Sequence, residues 1–230
     1  MVGFLSALTA FLVAHLVPAM PAVRGRLVAA LGRGGYLAAY SLLSLGLLAW
    51  VIVAARRAET VMLWDPAPWQ WVVPFAAMPL AAFLLVAGLA EPNPLSVSLR
   101  SGSEPGPVTA ITRHPVLWGF LIWACAHIPP NGRLVPVILF GTMALLSCVG
   151  FLLVDRRARA RLGAERWAAL SRRTSVVPFA ALLAGRARRP ALAPLARAAA
   201  VALVLVVWFV AQGHALLIGP DPLAGLPAFR

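Results

Sequence analysis

The sequence predicts an all-α, polytopic membrane protein with about six transmembrane helices in one bundle. Composition is the first reason: 61% of residues are hydrophobic, 12% are charged, and the mean hydropathy is +0.87. The second is pattern, because the apolar residues fall into six long runs broken by proline, glycine and arginine. The third is charge. All 20 basic residues are arginine, against seven acidic ones, and eleven of the arginines lie between Arg156 and Arg197. That distribution marks a cytoplasmic segment held against anionic lipid. No aromatic-interleaved basic patch accompanies it, so nucleic acid is excluded as a partner. One domain over 1–230 is expected, since no stretch is polar enough to fold as a soluble unit.

The six runs cover roughly 2–20, 34–55, 70–90, 115–130, 134–154 and 197–218. Crossing ~30 Å of hydrocarbon takes about 20 helical residues, and five of the six reach that length. Arg24 and Arg26 follow the first run and none precedes it, the reverse of a cleavable signal, so it reads as a retained helix. The fourth run is short and ends at Pro129-Pro130-Asn131-Gly132, which predicts a tight turn and a hairpin with the fifth. Between the third and fourth, residues 91–112 are rich in proline and glycine and read as an extended connection. Residues 156–197 form the basic loop. Within it, Leu162, Trp167 and Leu170 among arginines predict a short amphipathic helix on the membrane surface, and Arg186 to Arg197 a basic linker. Sixteen arginines fall on the side of that loop and four on the other, which places both termini in the periplasm.

No sequence motif of a Ser/His/Asp enzyme, Walker loop, dinucleotide fingerprint or zinc protease occurs, and the predicted spans hold no acidic residue. Cys125 and Cys148 read as small buried hydrophobes. Histidine remains. His15 and His127 lie inside apolar runs, where an ionisable group marks function by default. Arg113 and His114 open the fourth run as a candidate anion-binding gate, and His214 reads as interfacial.

The run from Phe4 through His15 to Ala19, the loop Pro92-Asn-Pro-Leu-Ser96, the stretch Ile111-Thr-Arg-His-Pro-Val-Leu-Trp-Gly-Phe120, and Ala126-His127 with Pro130-Asn-Gly132 together resemble the NnrU family. Its plant and cyanobacterial relatives are 15-cis-zeta-carotene isomerases. The likeness is closest over residues 1–155. It implies a bacterial inner-membrane protein associated with denitrification, or one that isomerises a cis double bond in a carotenoid-like lipid, with a hydrophobic small molecule as substrate. It also implies a b-type haem held by histidines, at positions matching His15 and His127, with Arg113 and His114 nearby. Whether His114 or Cys125 replaces a histidine ligand in one redox state stays open, as does catalysis itself. Arg133 departs from the acidic residue often found after Asn-Gly in the bacterial pattern.

Arg113-His-Pro, Leu162-Gly-Ala-Glu-Arg-Trp and Val177-Pro-Phe are also similar to membrane methyltransferases of the isoprenylcysteine and phospholipid type. That likeness implies S-adenosylmethionine near His114 and Glu165. A non-enzymatic denitrification factor is the third alternative. Depth favours the haem. At ~1.5 Å per residue, His15 and His127 differ by only ~8 Å in height, so the pair can serve as axial ligands of one iron.

Overall fold

A computed structural model describes residues 1–17, 20–59 and 61–225, and among these the named secondary-structure elements are all helices. Among the described residues the extended backbone pairs in one isolated antiparallel bridge, between Met62 and Arg133. Contacts divide the chain into two units, 1–65 with 132–139, and 66–131 with 140–230.

In the first unit, α1 (Val2–Leu16) packs on α2 (Pro21–Arg57). The first run therefore ends as helix at Leu16, short of the expected 20; residues 18 and 19 lie outside the described ones. The second helix is longer than expected, but Gly32 interrupts it at φ 68°, ψ 165°. Only glycine adopts that backbone without strain, so the break separates an arginine-bearing piece from the apolar span that begins near residue 34. The Gly132 carbonyl accepts from the Leu63 and Trp64 N–H groups at 2.7 and 3.2 Å, and Val61 O accepts from Leu134 N–H at 2.9 Å. These bonds tie the loop after α2 to the turn that opens α5 (Leu134–Leu162).

The second unit is built on α3 (Pro68–Ala90), which packs against α4 (Pro115–His127) and α8 (Leu192–Trp208). Their shared core gathers Leu84, Ala87, Val108 and Ala198, with Trp118, Ile122 and Leu195 against it. Small residues set the approach of α3 and α4. A Cβ on Gly88 would stand 2.8 Å from both Pro115 and Val116, and one on Gly119 would stand 2.9 Å from the Ala81 carbonyl. Close backbone contact of this kind is how helices associate where lipid removes the hydrophobic drive between them.

Among the described residues four helices are long and apolar enough to cross a membrane: 22–57, 68–90, 134–162 and 192–217. The other two expected spans are shorter, α1 at 15 residues and α4 at 13. Pro115 starts α4 at its first position, and the Asn131 side chain donates to His127 O at 2.8 Å where the helix stops. The turn expected at 129–132 is thus confirmed.

Three expectations need correction. The fifth helix does not end at 154 but runs to Leu162, because alanine and arginine sustain a helix until Gly163, at φ 81°, breaks it. α6 (Ala164–Ser171) does not lay its apolar side on a membrane surface. Leu170 is buried, and the Trp167 ring lies 5.6 Å from the guanidinium carbons of both Arg113 and Arg159, so that side faces the protein. Finally, Arg186 to Arg197 is not wholly linker: after the single turn α7 (Ala180–Leu183), α8 starts at Leu192, with Pro194 tolerated in its first turn. A π-type turn, Phe209–Gly213, carries α8 into α9 (His214–Leu217).

Candidate functional site

The second unit holds a polar cluster where the loop after α3, the start of α4, the polar end of α5 and the segment after α6 converge. Arg113 is its hub. One guanidinium nitrogen donates to Asp155 Oδ2 at 2.6 Å, Nε donates to Thr174 Oγ1 at 3.0 Å, and the other terminal nitrogen donates to Ser171 O at 3.1 Å. Its backbone is held as well, N–H to Ser175 O at 2.7 Å and C=O from Asn93 Nδ2 at 3.0 Å. A guanidinium bonded at each of its three nitrogens is a fixed charge, and here that charge stabilises the Asp155 carboxylate.

His114 follows at the N-cap of α4 with no accessible surface. Its Nδ1 lies 2.8 Å from Ser96 Oγ, and its Nε2 lies 3.2 Å from Asp155 Oδ1, off hydrogen-bond alignment. Phe151 and Trp118 close the apolar side. Thr112 Oγ1 and Trp118 Nε1 both donate to Val176 O, at 2.9 and 2.8 Å, fastening α4 to the chain beyond α6.

The loop after α3 is anchored by Glu91, whose Oε2 accepts the Val108 N–H at 2.7 Å while Oε1 is buried without a partner. Burial pushes this carboxyl above its usual range, and the Val108 hydrogen bond opposes the shift without cancelling it. A raised carboxyl contributes stability in full below the pKa of the unfolded chain and loses it as pH rises through the folded value. Glu91→Gln keeps an acceptor for Val108 and removes the charge. It is expected to melt higher than wild type at about pH 8 and no higher at about pH 4, read by thermal denaturation in detergent.

The other candidate histidines share one local pattern. Nδ1 of His15 lies 2.7 Å from Phe11 O, and Nδ1 of His127 lies 2.7 Å from Trp123 O. A carbonyl only accepts, so in each ring Nδ1 carries the proton and Nε2 keeps its lone pair, the form in which imidazole ligates a metal. His15 stacks on Phe11 with centroids 4.1 Å apart and meets Tyr40 edge-on, in the first unit. His127 lies 5.0 Å from Phe140 and 5.5 Å from Trp123, in the second. His214 differs: its Nδ1 lies 2.7 Å from Pro220 O, six residues further on in an exposed contact, with Phe209 beside it. Among the described residues no group of three or more His, Cys, Asp or Glu is placed to hold a metal ion. Cys125 and Cys148 are both exposed rather than buried, because a small apolar thiol is at ease on a surface that faces lipid.

The structure thus brings Arg113 and His114 together through Asp155, and places His15 and His127 in different units. Glu165, the second residue suggested by the methyltransferase likeness, is exposed on α6. Sequence reading missed Asp155, Ser96, Asn93 and Thr174. Asp155 had one signal, as the acidic residue at the boundary between an apolar run and an arginine run. Ser96 and Asn93 stood in a noted motif without an assigned role.

A family model described as NnrU protein matches residues 3–222. Among curated proteins, the chain is 40% identical over 85 residues to a 15-cis-zeta-carotene isomerase, chloroplastic, of Zea mays, covering 36% of this chain and 22% of that protein. It is 35% identical over 79 residues to the protein of the same description from Arabidopsis thaliana, covering 34% and 21%. The chain thus spans about a fifth of the length of these relatives. No solved structure matches.

Proposed function

The chain belongs to the NnrU family, and from that premise we propose that it is a haem-binding protein of the bacterial inner membrane that isomerises a cis double bond in a carotenoid-like lipid. Support for the substrate class comes from the two plant relatives, both described as isomerases of a cis carotenoid. A role in nitrite or nitric oxide metabolism is the second member of the same reading, supported by the family alone.

The observation that carries the cofactor is the state of the two histidines. Each fixes its protonated Nδ1 on the carbonyl four residues back and keeps Nε2 as a lone-pair donor beside aromatic rings. In that form His15 and His127 are the residues that would hold the iron of a b-type haem. A haem held by these residues would supply redox-active or Lewis-acidic iron for the isomerisation. The chain's own contributions are orientation of the imidazoles by the Phe11 and Trp123 carbonyls and exclusion of water by Phe11, Tyr40, Trp123 and Phe140. Arg113, engaged by Asp155, Thr174 and Ser171, acts here by holding the start of α4, the helix that bears His127.

Protein purified in detergent is expected to show a Soret band with low-spin α and β bands. His15→Ala and His127→Ala should each abolish or shift these bands, and His214→Ala should leave them unchanged. A colourless wild type, or single variants with the wild-type spectrum, refutes the haem assignment.

The orientation proposed with this reading puts the arginine-rich segment in the cytoplasm. A reporter active only in the periplasm should work when fused after Arg230 and stay silent when fused after Arg173. The opposite pattern refutes it.

A further inference from the structure

We propose that Ser96, His114 and Asp155 form a nucleophilic triad, and that Ser96 accepts an acyl group from a long-chain lipid ester. The three residues are far apart in the chain: Ser96 is in the loop after α3, His114 caps α4, and Asp155 is on α5. The fold places the serine oxygen 2.8 Å from one imidazole nitrogen and a carboxylate oxygen 3.2 Å from the other.

Proton positions follow from the donors and acceptors. Asp155 Oδ2 accepts from Arg113 at 2.6 Å, which keeps the carboxylate ionised, so Oδ1 facing the imidazole is an acceptor. Nε2 of His114 then carries the ring proton, and Nδ1 presents its lone pair to the Ser96 hydroxyl. A nucleophile bonded to a base that a third group orients is the arrangement that activates serine, whichever ring nitrogen faces which partner. The 3.2 Å contact is imperfectly aligned, as catalytic contacts without substrate commonly are.

A purely structural role explains less. The loop is already fastened at Asn93, which bonds to Arg113 O, and at Glu91, which bonds to the Val108 N–H. Ser96 adds one more tie where two already hold, yet it sits against a histidine of 0% exposure while remaining only half-buried itself. The surroundings indicate the substrate class. Val97 and Leu99, one and three residues after Ser96, are 39% and 81% exposed, apolar surface in the loop where the apolar helix α3 gives way to polar chain. A water-soluble acyl donor would gain nothing from that surface, whereas a membrane lipid brings its acyl chain to it.

In the step proposed, Ser96 Oγ attacks the ester carbonyl as its proton passes to His114 Nδ1. The new C–O bond forms to Oγ, the bond to the lipid alcohol breaks, and the proton on Nδ1 moves to the departing alkoxide. Acyl-serine and a free alcohol result, with no net gain or loss of protons or electrons. Asp155 is a positioning residue that touches neither.

The experiment uses the full chain in lipid nanodiscs with a fluorophosphonate bearing a long alkyl chain, the adduct being located by peptide mass mapping. Folded wild type is expected to be labelled at Ser96, and Ser96→Ala to lose that adduct. His114→Gln should slow labelling by roughly a hundred-fold, the share a positioned base contributes. Asp155→Asn should slow it less while keeping the shape of the side chain. The proposal is overturned if folded wild type takes no label at Ser96, an outcome that depends on no variant folding. It is equally overturned if a folded His114→Gln protein labels at the wild-type rate. Because the haem spectrum is read separately, failure here leaves the family-based function untouched.

Discussion

Asp155→Ala is expected to destabilise the second unit by about 3 kcal/mol, lowering its melting temperature in detergent well below that of any single surface-arginine variant. Asp155 meets Arg113 at 2.6 Å and His114 at 3.2 Å, and the side chains of the three are 21%, 11% and 0% exposed. An exposed pair contributes about 0–1 kcal/mol because water and salt replace the partner. Here the partner left behind is a guanidinium held in place by Thr174 and Ser171, and it cannot swing out to find water. The cost is therefore that of an uncompensated charge in a partly buried site, reduced somewhat by the accessible edge of Asp155. Arg157→Ala, on the exposed arginine face of α5, is the comparison. If the two variants melt alike, the ion pair is not what holds the start of α4 to α5.

Gly119→Leu is expected to have the other large effect, loss of the folded second unit and failure to accumulate in the membrane. A Cβ at this position stands 2.7 Å from Leu85 Cγ and 2.9 Å from the Ala81 carbonyl oxygen. Leu85 can turn away, but the carbonyl belongs to helix backbone, so α3 and α4 must separate. Gly119→Ala should cost about 1–3 kcal/mol, the usual range for overpacking. Gly141→Ala, where nothing lies within 4 Å of the added carbon, is expected to be neutral or to stabilise by about 0.5–1 kcal/mol through helix propensity. Equal accumulation of all three variants would show that α3 and α4 are not in close contact.

Much of this architecture was legible in the chain because its causes are local. Apolar runs long enough to span a bilayer announce themselves in any window of about 20 residues. Helix ends were legible where their chemistry is carried by one or two residues: Pro115 at the start of α4, and Pro129 to Gly132 beyond its end. The ends that were misread had no such marker in the expected place. α5 passes Asp155 without a breaker and stops at Gly163, and α8 begins before Pro194 because proline is harmless in a first turn. The candidate residues divide in the same way. His15 and His127 stood out as ionisable groups inside apolar runs, and each accepting carbonyl lies four residues back on the same helix, so their tautomers are a local matter too.

What the sequence determined by itself was the class of the protein, the number and approximate extent of its apolar helices, the segregation of arginine to one segment, and the four histidines as the residues to explain. Only the tertiary structure decided which way the helices face and what the polar residues between them meet. A helix in lipid need not be amphipathic, since its neighbours and the lipid are equally apolar, and no periodic stripe tells Gly119 from Gly141. Ser96, the adjacent pair Arg113 and His114, Asp155 and Thr174 lie on four stretches up to 78 positions apart, and residues that distant meet only once the chain has packed. For the same reason Trp167 reads as a membrane-facing residue in sequence and is found 5.6 Å from each of two guanidinium groups in the fold: one of them, that of Arg113, is 54 residues earlier in the chain.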